Sequence, residues 1–489
     1  MKNKKIKILI ICLVAVVVIC TSIVATVMVK NNLKMKEIEE IRAKLESEVA
    51  VEEIQLDENY THYFEQYGMT YDGSTKVDKD YTSYRAVCFI NEDNSRTLYS
   101  FASAVNYQKD GKFVPIDTRI KNTAETQRKN EGYVYSVASN DTVTLFNKVF
   151  DEKKGVLIKD KVVSFEVLAP TARAEKAFCE DRENFIGVDR DMVCYGGALS
   201  QNTQTYFYPS NLGANCEIVC KDNSTHTFSL GLSISTKGVK VGRTPGGYWI
   251  LTKSNGGNQE TVGVIQAPIV KDKNGNIIRS NSIEIYKKFG QKNYTIDLLL
   301  DETADLTDAT VYFAFEIRKG NQPDNALYSA VPALQYAYLK NHSVIGKSED
   351  LGIGRLMVRF ETAKDFLLKA DMIKSADFFV YNATPSSDMT VSAVKVLEDW
   401  CSLTGNWNDN YKTGKVVATA KADGSVIKFN LTDEFKVWCD DESGQEEHNG
   451  IQLRTDESGE KNIVLLSGDN TLFNNYMEIV FNAKTDSEK

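Results

Sequence analysis

Residues 84–116, YRAVCFINEDNSRTLYSFASAVNYQKDGKFVPI, decide the fold class of this chain. Apolar and polar side chains alternate here with the period of a β-strand, in the segments 84–91, 97–108 and 112–116. The dipeptide Asp110-Gly111 separates two of these segments and is typical of a two-residue hairpin turn. The stretch therefore predicts antiparallel strands joined by tight turns.

The same alternation continues towards the middle of the chain. Short predicted strands, broken by turns rich in Gly, Asn and Asp, cover 133–138, 142–146, 162–168, 204–208, 226–232, 247–252, 261–270, 281–287, 293–300 and 310–317. The segment DKNGN (272–276) lacks the EF-hand spacing of Gly at the sixth position and Glu at the twelfth, so we interpret it as a hairpin turn. Many short strands at this spacing predict an all-β fold of sandwich type.

The tail carries eight further predicted strands over about 140 residues, which suits a jelly-roll β-sandwich. They cover 355–361, 377–382, 390–398, 415–421, 425–432, 450–455, 462–467 and 476–482. One helical turn, DEFKVW (433–438), interrupts them, with Thr432 as its predicted cap. Phe435 and Trp438 are three residues apart, so both are expected to face the core.

The amino terminus predicts a membrane anchor. Four lysines among the first seven residues precede an uncharged run from Ile8 to Val29, which Lys30 ends. As a helix this run spans roughly 33 Å, enough to cross the hydrocarbon core. The basic flank should stay in the cytoplasm and leave the bulk of the chain extracellular. The alternative is a signal peptide cleaved near residues 25–29, although no clear A-x-A cleavage site is present.

Charge and composition exclude several classes of partner and site. The net charge is −9, and no basic stripe follows the first residues, which argues against nucleic acid as a partner. The nine cysteines form no disulfide framework, and we interpret the close pair Cys216 and Cys220 as buried thiols on one strand. The four histidines stand singly, so no metal site is predicted, although a structural calcium ion in the tail remains an alternative.

The tail resembles the DNRLRE-type domain, a β-sandwich of bacterial surface proteins that is grouped with carbohydrate-binding modules. The resemblance rests on an ordered set of segments, namely RLMVRFE (355–361), AKDFLLKADMIKSADFFVYNA (363–383), VKVLEDWCSLTGNWND (394–409), KFNLTDEFKVWCDD (428–441) and NGIQLRT (449–455). It covers about residues 341–484 and implies carbohydrate binding at the cell surface.

The middle of the chain resembles the β-rich region of wall-associated RHS-repeat proteins. SFASAVNYQKDGKFVPID (100–117) and VGVIQAPIVKDKNGNI (262–277) carry this likeness. The chain has neither the Tyr-Asp repeats nor the C-terminal toxin of those proteins, so the likeness implies anchoring and binding rather than toxin delivery.

Together these patterns predict five segments. They are a cytoplasmic tip with a transmembrane signal-anchor (1–30), a short helical stalk (31–58), a β-rich domain (59–200), a sandwich-like domain (201–340) and a DNRLRE-type sandwich (341–489).

The tryptophans of the tail provide the candidate binding site. Trp400 and Trp438 are expected to be structural, with Phe435, because each follows or faces a predicted core element. Trp407 lies in the polar loop TGNWNDN (404–410), where it could stack on a sugar ring while its neighbours bind the hydroxyl groups. Those neighbours are Asn406, Asn408 and Asp409. A loop anchor is the alternative role for Trp407.

No catalytic motif is present. The chain lacks a G-x-S-x-G segment and a Walker loop, and no Cys or Ser has a plausible catalytic histidine nearby in sequence. The sequence therefore predicts a membrane-anchored extracellular protein without catalytic activity that binds cell-wall or environmental carbohydrate. The alternative is a structural or adhesive protein that binds protein partners and has no sugar site. Two facing carboxylates in an aromatic-lined cleft between residues 80 and 340 would instead indicate an enzyme.

Overall fold

The computed structural model describes residues 76–482, with gaps at 102–103, 123–131, 171–174, 186–188, 245–248, 267, 275–276, 279–280, 319–327, 330–341, 349–351, 360–365, 367, 383–388, 401–410, 441–448, 457–461 and 467–474. The predicted span and stalk lie outside the described residues. Among the residues that are described, no helix is both long and apolar enough to cross a membrane.

The chain is an all-β protein, and every strand pairing among the described residues is antiparallel. Strands are numbered in chain order. Short helical segments accompany them, namely the α-helix α1 (Thr432–Asp440) and the 3-10 turns Lys79–Tyr81 and Ala370–Met372.

The central module consists of two large sheets formed by residues 117–317. One sheet has, in spatial order, β23 (Ser282–Tyr286), β24 (Tyr294–Leu299), β17 (Thr227–Ile234), β11 (Ser164–Leu168), β10 (Val156–Lys159), β8 (Val143–Asn147), β7 (Tyr133–Ser139) and β6 (Asp117–Asn122). The other has β13 (Phe178–Glu183), β14 (Asp189–Gly196), β15 (Thr203–Ser210), β16 (Gly213–Cys220), β25 (Thr310–Ile317), β20 (Asn258–Ile265), β19 (Trp249–Asn255) and β18 (Val239–Arg243), with β21 (Ile269–Lys271) beside β25 and β22 (Ile277–Ile278) beside β21. A small ribbon pairs β9 (Val149–Phe150) with β12 (Glu175–Lys176).

One hydrophobic core joins these two sheets. Phe165 of the first sheet and Phe315 of the second are both fully buried, with ring centroids 6.4 Å apart. Strict alternation along the strands explains why one face of each sheet is apolar. In β23, Ile283 and Ile285 are buried, whereas the alternating residues Ser282, Glu284 and Tyr286 are exposed. Each sheet thus turns one face of its strands to the other.

The terminal module combines strands from both ends of the described chain. Its largest sheet has β1 (Lys76–Val77), β2 (Ala86–Ile90), β3 (Ser95–Phe101), β36 (Tyr476–Asn482), β30 (Ile373–Tyr381) and β33 (Val426–Asn430). Two smaller sheets have β26 (Tyr328–Ser329), β29 (Leu356–Val358), β34 (Ile451–Arg454), β31 (Thr390–Val396) and β32 (Thr413–Lys421), and β28 (Gly352–Gly354), β27 (His342–Ser348) and β35 (Asn462–Leu466). A second core, separate from the central one, is formed between these sheets and α1.

The hairpin of β4 (Asn106–Lys109) and β5 (Lys112–Pro115) follows β3 in the chain. Asp110 and Gly111 at its tip have φ angles of 50° and 77°, so the predicted two-residue turn is confirmed. Hydrogen-bonding contacts connect this region to the central module. The Asn211 side chain donates to the Ala104 carbonyl at 2.6 Å, and the Tyr107 and Ser139 hydroxyls lie 2.5 Å apart.

Sheets of both modules cross the domain limits that the sequence suggested at residues 200/201 and 340/341. The eight-stranded sheet takes strands from either side of residue 200. In the terminal module, β3 pairs with β36 from Ser95–Asn482 to Phe101–Tyr476, so strands before residue 102 complete a sheet expected to begin at residue 341. This pairing could not be foreseen because strand alternation does not specify a strand's partner.

Candidate functional site

The predicted sugar-binding residues Asn406, Trp407, Asn408 and Asp409 lie outside the described residues. The structure does describe the two points from which their loop departs, after Trp400 and before Tyr411. Because binding loops depend on a rigid base, this base is the first part of the site to consider.

Trp400 fixes the start of the loop. Its side chain is 3% exposed and packs with Met357 and Val396 in a small core of its own. The indole Nε1 donates to the Asn449 carbonyl at 2.7 Å, and the Arg359 guanidinium carbon lies 5.2 Å from the ring centroid. The ring therefore has an apolar contact, a hydrogen bond and a stacked cation, which together hold it in one orientation.

Hydrogen bonds join the residues that follow β31 to those that precede β32 at the base of the loop. The Leu397 amide donates to the Lys412 carbonyl at 2.9 Å, and the Lys412 amide donates to the Glu398 carboxylate. Arg359 also donates to Asp399 at 2.5 Å and to the Trp400 carbonyl at 3.0 Å. The residues on either side of the loop are thus tied to the sheet.

Phe435 and Trp438 pack in the core of the terminal module. They are 2% and 4% exposed, and their rings meet edge to face with centroids 6.0 Å apart. The inward orientation predicted for them is what the structure shows. The helix itself begins at Thr432, the residue predicted as its cap. The Thr432 hydroxyl accepts a hydrogen bond from the Ala376 amide of β30 at 3.0 Å, and the Phe435 amide donates to the Leu431 carbonyl.

The remaining tryptophan, Trp249, is half-buried in the central module. Its Nε1 donates to the Ile283 carbonyl at 2.9 Å, and the Arg243 guanidinium carbon lies 5.8 Å from its ring. The three described tryptophans are therefore all engaged in packing contacts within the protein.

A second candidate site is a cleft of about 300 Å³ at one edge of the central module. It lies between β6 of the eight-stranded sheet and β13, β14 and β15 of the ten-stranded sheet. Its lining residues are Thr118, Arg119, Asp181, Asp189, Arg190, Asp191, Tyr208 and Pro209. Three carboxylates and two guanidinium groups make it a polar cleft suited to hydrogen-bonding a polar ligand.

Strand register explains how the carboxylates converge. Asp181 pairs with Asp191, and Glu183 pairs with Asp189, so four acidic side chains share one face of the β13–β14 ribbon. Arg182 pairs with Arg190 and occupies the opposite face, where the Arg182 guanidinium lies 4.2 Å from the Tyr206 ring. Opposed like charges destabilise a two-stranded ribbon, so other contacts must hold it in place.

Phe185 provides those contacts at the end of the ribbon. Its side chain is 3% exposed, and its amide donates to the Glu217 carboxylate at 2.8 Å. Lys271 donates to the Phe185 carbonyl, and its ammonium group lies 4.7 Å from the phenyl ring. The buried Glu217 also accepts a hydrogen bond from the Tyr208 hydroxyl at 2.8 Å, so the cleft's one aromatic ring is tied to the same group.

Burial shifts the titration of this network. Desolvation raises the pKa of Glu217 above its ordinary value, while the hydrogen bonds from Phe185 and Tyr208 act in the opposite direction. Desolvation lowers the pKa of Lys271, and the nearby Glu217 carboxylate opposes that change. The network is a structural anchor of the ribbon, since Glu217 is 1% exposed and cannot reach a ligand.

The cleft has only part of the arrangement that a glycosidase needs. Asp181 and Asp191 face each other across the strands, but both are exposed and so lack the apolar surroundings of a general acid. Tyr208 is 6% exposed and offers no platform for a sugar ring. Within the described ranges, no group of three or more His, Cys, Asp or Glu side chains is placed to hold a metal ion.

Sequence reasoning missed the β13–β14 ribbon because its strands do not alternate apolar and polar residues. The signal was a charge pattern, EDRE at 180–183 followed by DRD at 189–191. The interpretation of Cys216 and Cys220 is confirmed, since both are buried free thiols of β16. Burial raises the pKa of Cys220 to about 12, with the Asp222 charge adding to the effect, so this thiol is unreactive.

Comparison with known proteins adds little. No family model matches the chain, and no curated protein matches it. Among solved structures, an exo-β-1,3-galactanase from Phanerochaete chrysosporium, crystallised with β-1,3-galactotriose, aligns over 83% of this chain and 82% of its own at 10% identity. Its TM-score of 0.10 is too low to carry an argument about fold or function.

Proposed function

We propose that this protein is a non-catalytic, membrane-anchored surface protein whose C-terminal β-sandwich binds a glycan through the loop at residues 401–410. The observation that carries the proposal is the fixed base of this loop, where Trp400 is clamped and Glu398 accepts a hydrogen bond from Lys412. Anchored loop ends limit the conformational freedom that is lost when a ligand binds.

The composition of the loop supports a sugar as the ligand. A sugar ring offers an apolar face and a rim of hydroxyl groups, which suit an indole ring and nearby amide or carboxylate groups. Since Trp249, Trp400 and Trp438 are occupied in packing, a tryptophan–sugar contact falls to Trp407, with Asn406, Asn408 and Asp409 as hydrogen-bonding partners.

The wider architecture belongs to the same proposal. We assign the terminal module to a jelly-roll sandwich of DNRLRE type, and residues 1–30 to a signal-anchor followed by a helical stalk. This arrangement holds the sheets outside the cell, within reach of cell-wall or environmental polysaccharide. No cofactor is required for such binding.

Binding should be tested with the full chain, purified in detergent, because strands before residue 102 complete the terminal module. We expect wild-type protein to be retained on peptidoglycan or on one of a panel of insoluble polysaccharides, and Trp407→Ala to bind at least tenfold more weakly, about 1.4 kcal/mol. The matched control is Val416→Ala, a 52% exposed position on β32 close to the loop, which should bind as the wild type does.

Retention of Trp407→Ala at the wild-type level would contradict the role of the loop. A complete lack of wild-type retention would instead favour the second candidate function, a structural or adhesive protein that binds protein partners. One observation favours that candidate, namely that the large hydrophobic side chains exposed in the described part of the terminal module are all aliphatic. They are Leu397, Val416, Val426 and Val437.

The absence of catalysis can be tested separately at the cleft. We expect no release of reducing sugar from the same polysaccharides by the wild-type chain. Turnover that Asp191→Asn abolishes, while Asp305→Asn at an exposed loop position leaves it intact, would show that the protein is an enzyme instead.

A further inference from the structure

The hairpin of β23 and β24 ends in a fully exposed aromatic residue. Phe289 lies in the tip KKFGQK (287–292), beyond the last strand pair, Tyr286–Thr295. The Gln291 amide donates to the Lys288 carbonyl at 3.1 Å, and Gly290 adopts a φ angle of 80°. The tip is therefore an ordered turn that projects its phenyl ring into solvent.

Three lysines lie within three residues of Phe289 in the sequence, and the residues from 286 to 295 contain no acid. The Lys287 ammonium group lies 5.4 Å from the Tyr294 ring centroid, and that of Lys288 lies 5.8 Å from the Tyr286 ring. Lys292 completes the group. The tip is thus a local concentration of positive charge in a chain whose net charge is −9.

The nearest carboxylates of the hairpin are already paired. Glu284 lies 3.7 Å from Arg243, and Asp297 accepts hydrogen bonds from the Tyr286 hydroxyl at 2.8 Å and the Ser229 hydroxyl at 2.6 Å. The neutral hydroxyl donors leave the negative charge of Asp297 in place, but among the described residues no carboxylate forms an ion pair with Lys287, Lys288 or Lys292. A single exposed phenylalanine is common on soluble proteins, but one at the tip of an ordered turn, next to three lysines in the sequence, also suits a surface that is both apolar and anionic.

We propose that this tip inserts Phe289 into the interfacial region of an anionic lipid bilayer, while Lys287, Lys288 and Lys292 contact the headgroups. Aromatic rings favour the boundary between hydrocarbon and headgroups, and lysine side chains keep their charge in the polar layer while their stems lie against apolar surface. Anionic headgroups attract clustered lysines near the surface. An anionic bilayer offers an apolar layer for the phenyl ring and negatively charged headgroups for the lysines.

The test places a reporter at the tip itself, so that insertion by residues 1–30 does not contribute to the signal. In the full chain, Phe289→Trp should show a blue-shifted emission, and quenching by brominated lipid, with vesicles of phosphatidylglycerol and phosphatidylcholine. We expect at least a tenfold weaker response with phosphatidylcholine alone. Replacing Lys287, Lys288 and Lys292 with Glu in this variant should reduce the response to anionic vesicles by the same factor.

The matched control is Phe178→Trp, since Phe178 is also exposed but lies beside the acidic ribbon. It should give no blue shift with either vesicle. An equal response from this control, no response from Phe289→Trp, or a shift with a soluble polyanion such as dextran sulfate but not with vesicles would overturn the proposal. Circular dichroism should show unchanged folding for these variants, because both positions are exposed.

Discussion

The central and terminal modules are both built from antiparallel strands, but their strands are brought together in different ways. In the central module, β13, β14, β15 and β16 are neighbours in the chain and in the sheet. In the terminal module, β3 pairs with β36 at the far end of the described chain. The first arrangement forms through local hairpins, whereas the second requires the closure of a very long loop.

This difference shows that the terminal module, unlike the β13–β16 part of the central module, depends on strands from the opposite end of the described chain. Ala86, Cys88 and Leu98 of β2 and β3 are fully buried within the terminal core. The opposite faces of the same strands bury Val87, Phe89 and Phe101 in a separate cluster. The amino-terminal strands are therefore structural parts of the terminal module.

The largest expected effect is that of removing these strands. A fragment of residues 341–489 should fail to show a cooperative thermal transition by circular dichroism, because an internal strand pairing and part of its core are missing. Joining residues 76–101 to the fragment through a flexible linker should restore the transition. Cooperative unfolding of the fragment alone would show that the two modules do not differ in this way.

Core truncations test whether the modules also unfold separately. Phe165→Ala in the central core and Phe429→Ala in the terminal core should each cost about 3–5 kcal/mol, since both rings are fully buried. Because the two cores share no residue, each variant should lower the denaturation midpoint of its own module only. Hydrogen exchange, measured separately for the two modules, monitors these transitions. Val162→Ala, at an exposed position, serves as the control. A shift of both modules by either variant would indicate a single cooperative unit.

A buried ion pair in the terminal module should give the next largest effect. Lys395 lies 2.9 Å from Glu434, and their side chains are 11% and 3% exposed. Lys395→Ala should cost about 3 kcal/mol in urea denaturation, because it leaves a buried carboxylate without its closest cation. Lys415, 3.5 Å from the same carboxylate, is 72% exposed, so Lys415→Ala should cost less than about 0.5 kcal/mol. Equal losses would mean that burial does not determine the strength of this pair.

The central module should instead show a pH-dependent effect through Glu217. Its pKa is higher in the folded chain than in the unfolded chain, so its contribution to stability is full below the ordinary value of 4.5 and is lost as pH rises through the folded pKa. Relative to wild type, Glu217→Gln should therefore gain unfolding free energy between acidic and neutral pH. Each unit of pKa difference corresponds to about 1.4 kcal/mol.

The control for this measurement is Val162→Ala, an exposed position of the central module without a titratable group. Its stability difference from wild type should stay the same over this pH range. A flat profile for Glu217→Gln would mean that Lys271 and the hydrogen bonds from Phe185 and Tyr208 fully offset the burial of the carboxylate.

Local features of this chain were predictable from its sequence. The hairpin at Asp110-Gly111 is confirmed, and β21 and β22, on either side of DKNGN, pair antiparallel as a hairpin requires. The inward direction of Phe435 and Trp438 followed from helical spacing. The β13–β14 ribbon was missed because charged residues dominate β13. It joins the sheet through the pairing of β14 with β15, and Phe185 anchors its end on Glu217.

The sequence by itself determined the all-β class, since a period of two and a two-residue turn are properties of neighbouring residues. Only the tertiary structure decided which strands pair and which residues of β6, β13, β14 and β15 line the cleft. Those relations join residues far apart in the chain, as in the pairing of β3 with β36, and alternation at each strand is compatible with many partners. The complementary packing of two sheet faces selects one set of strand pairings from these alternatives.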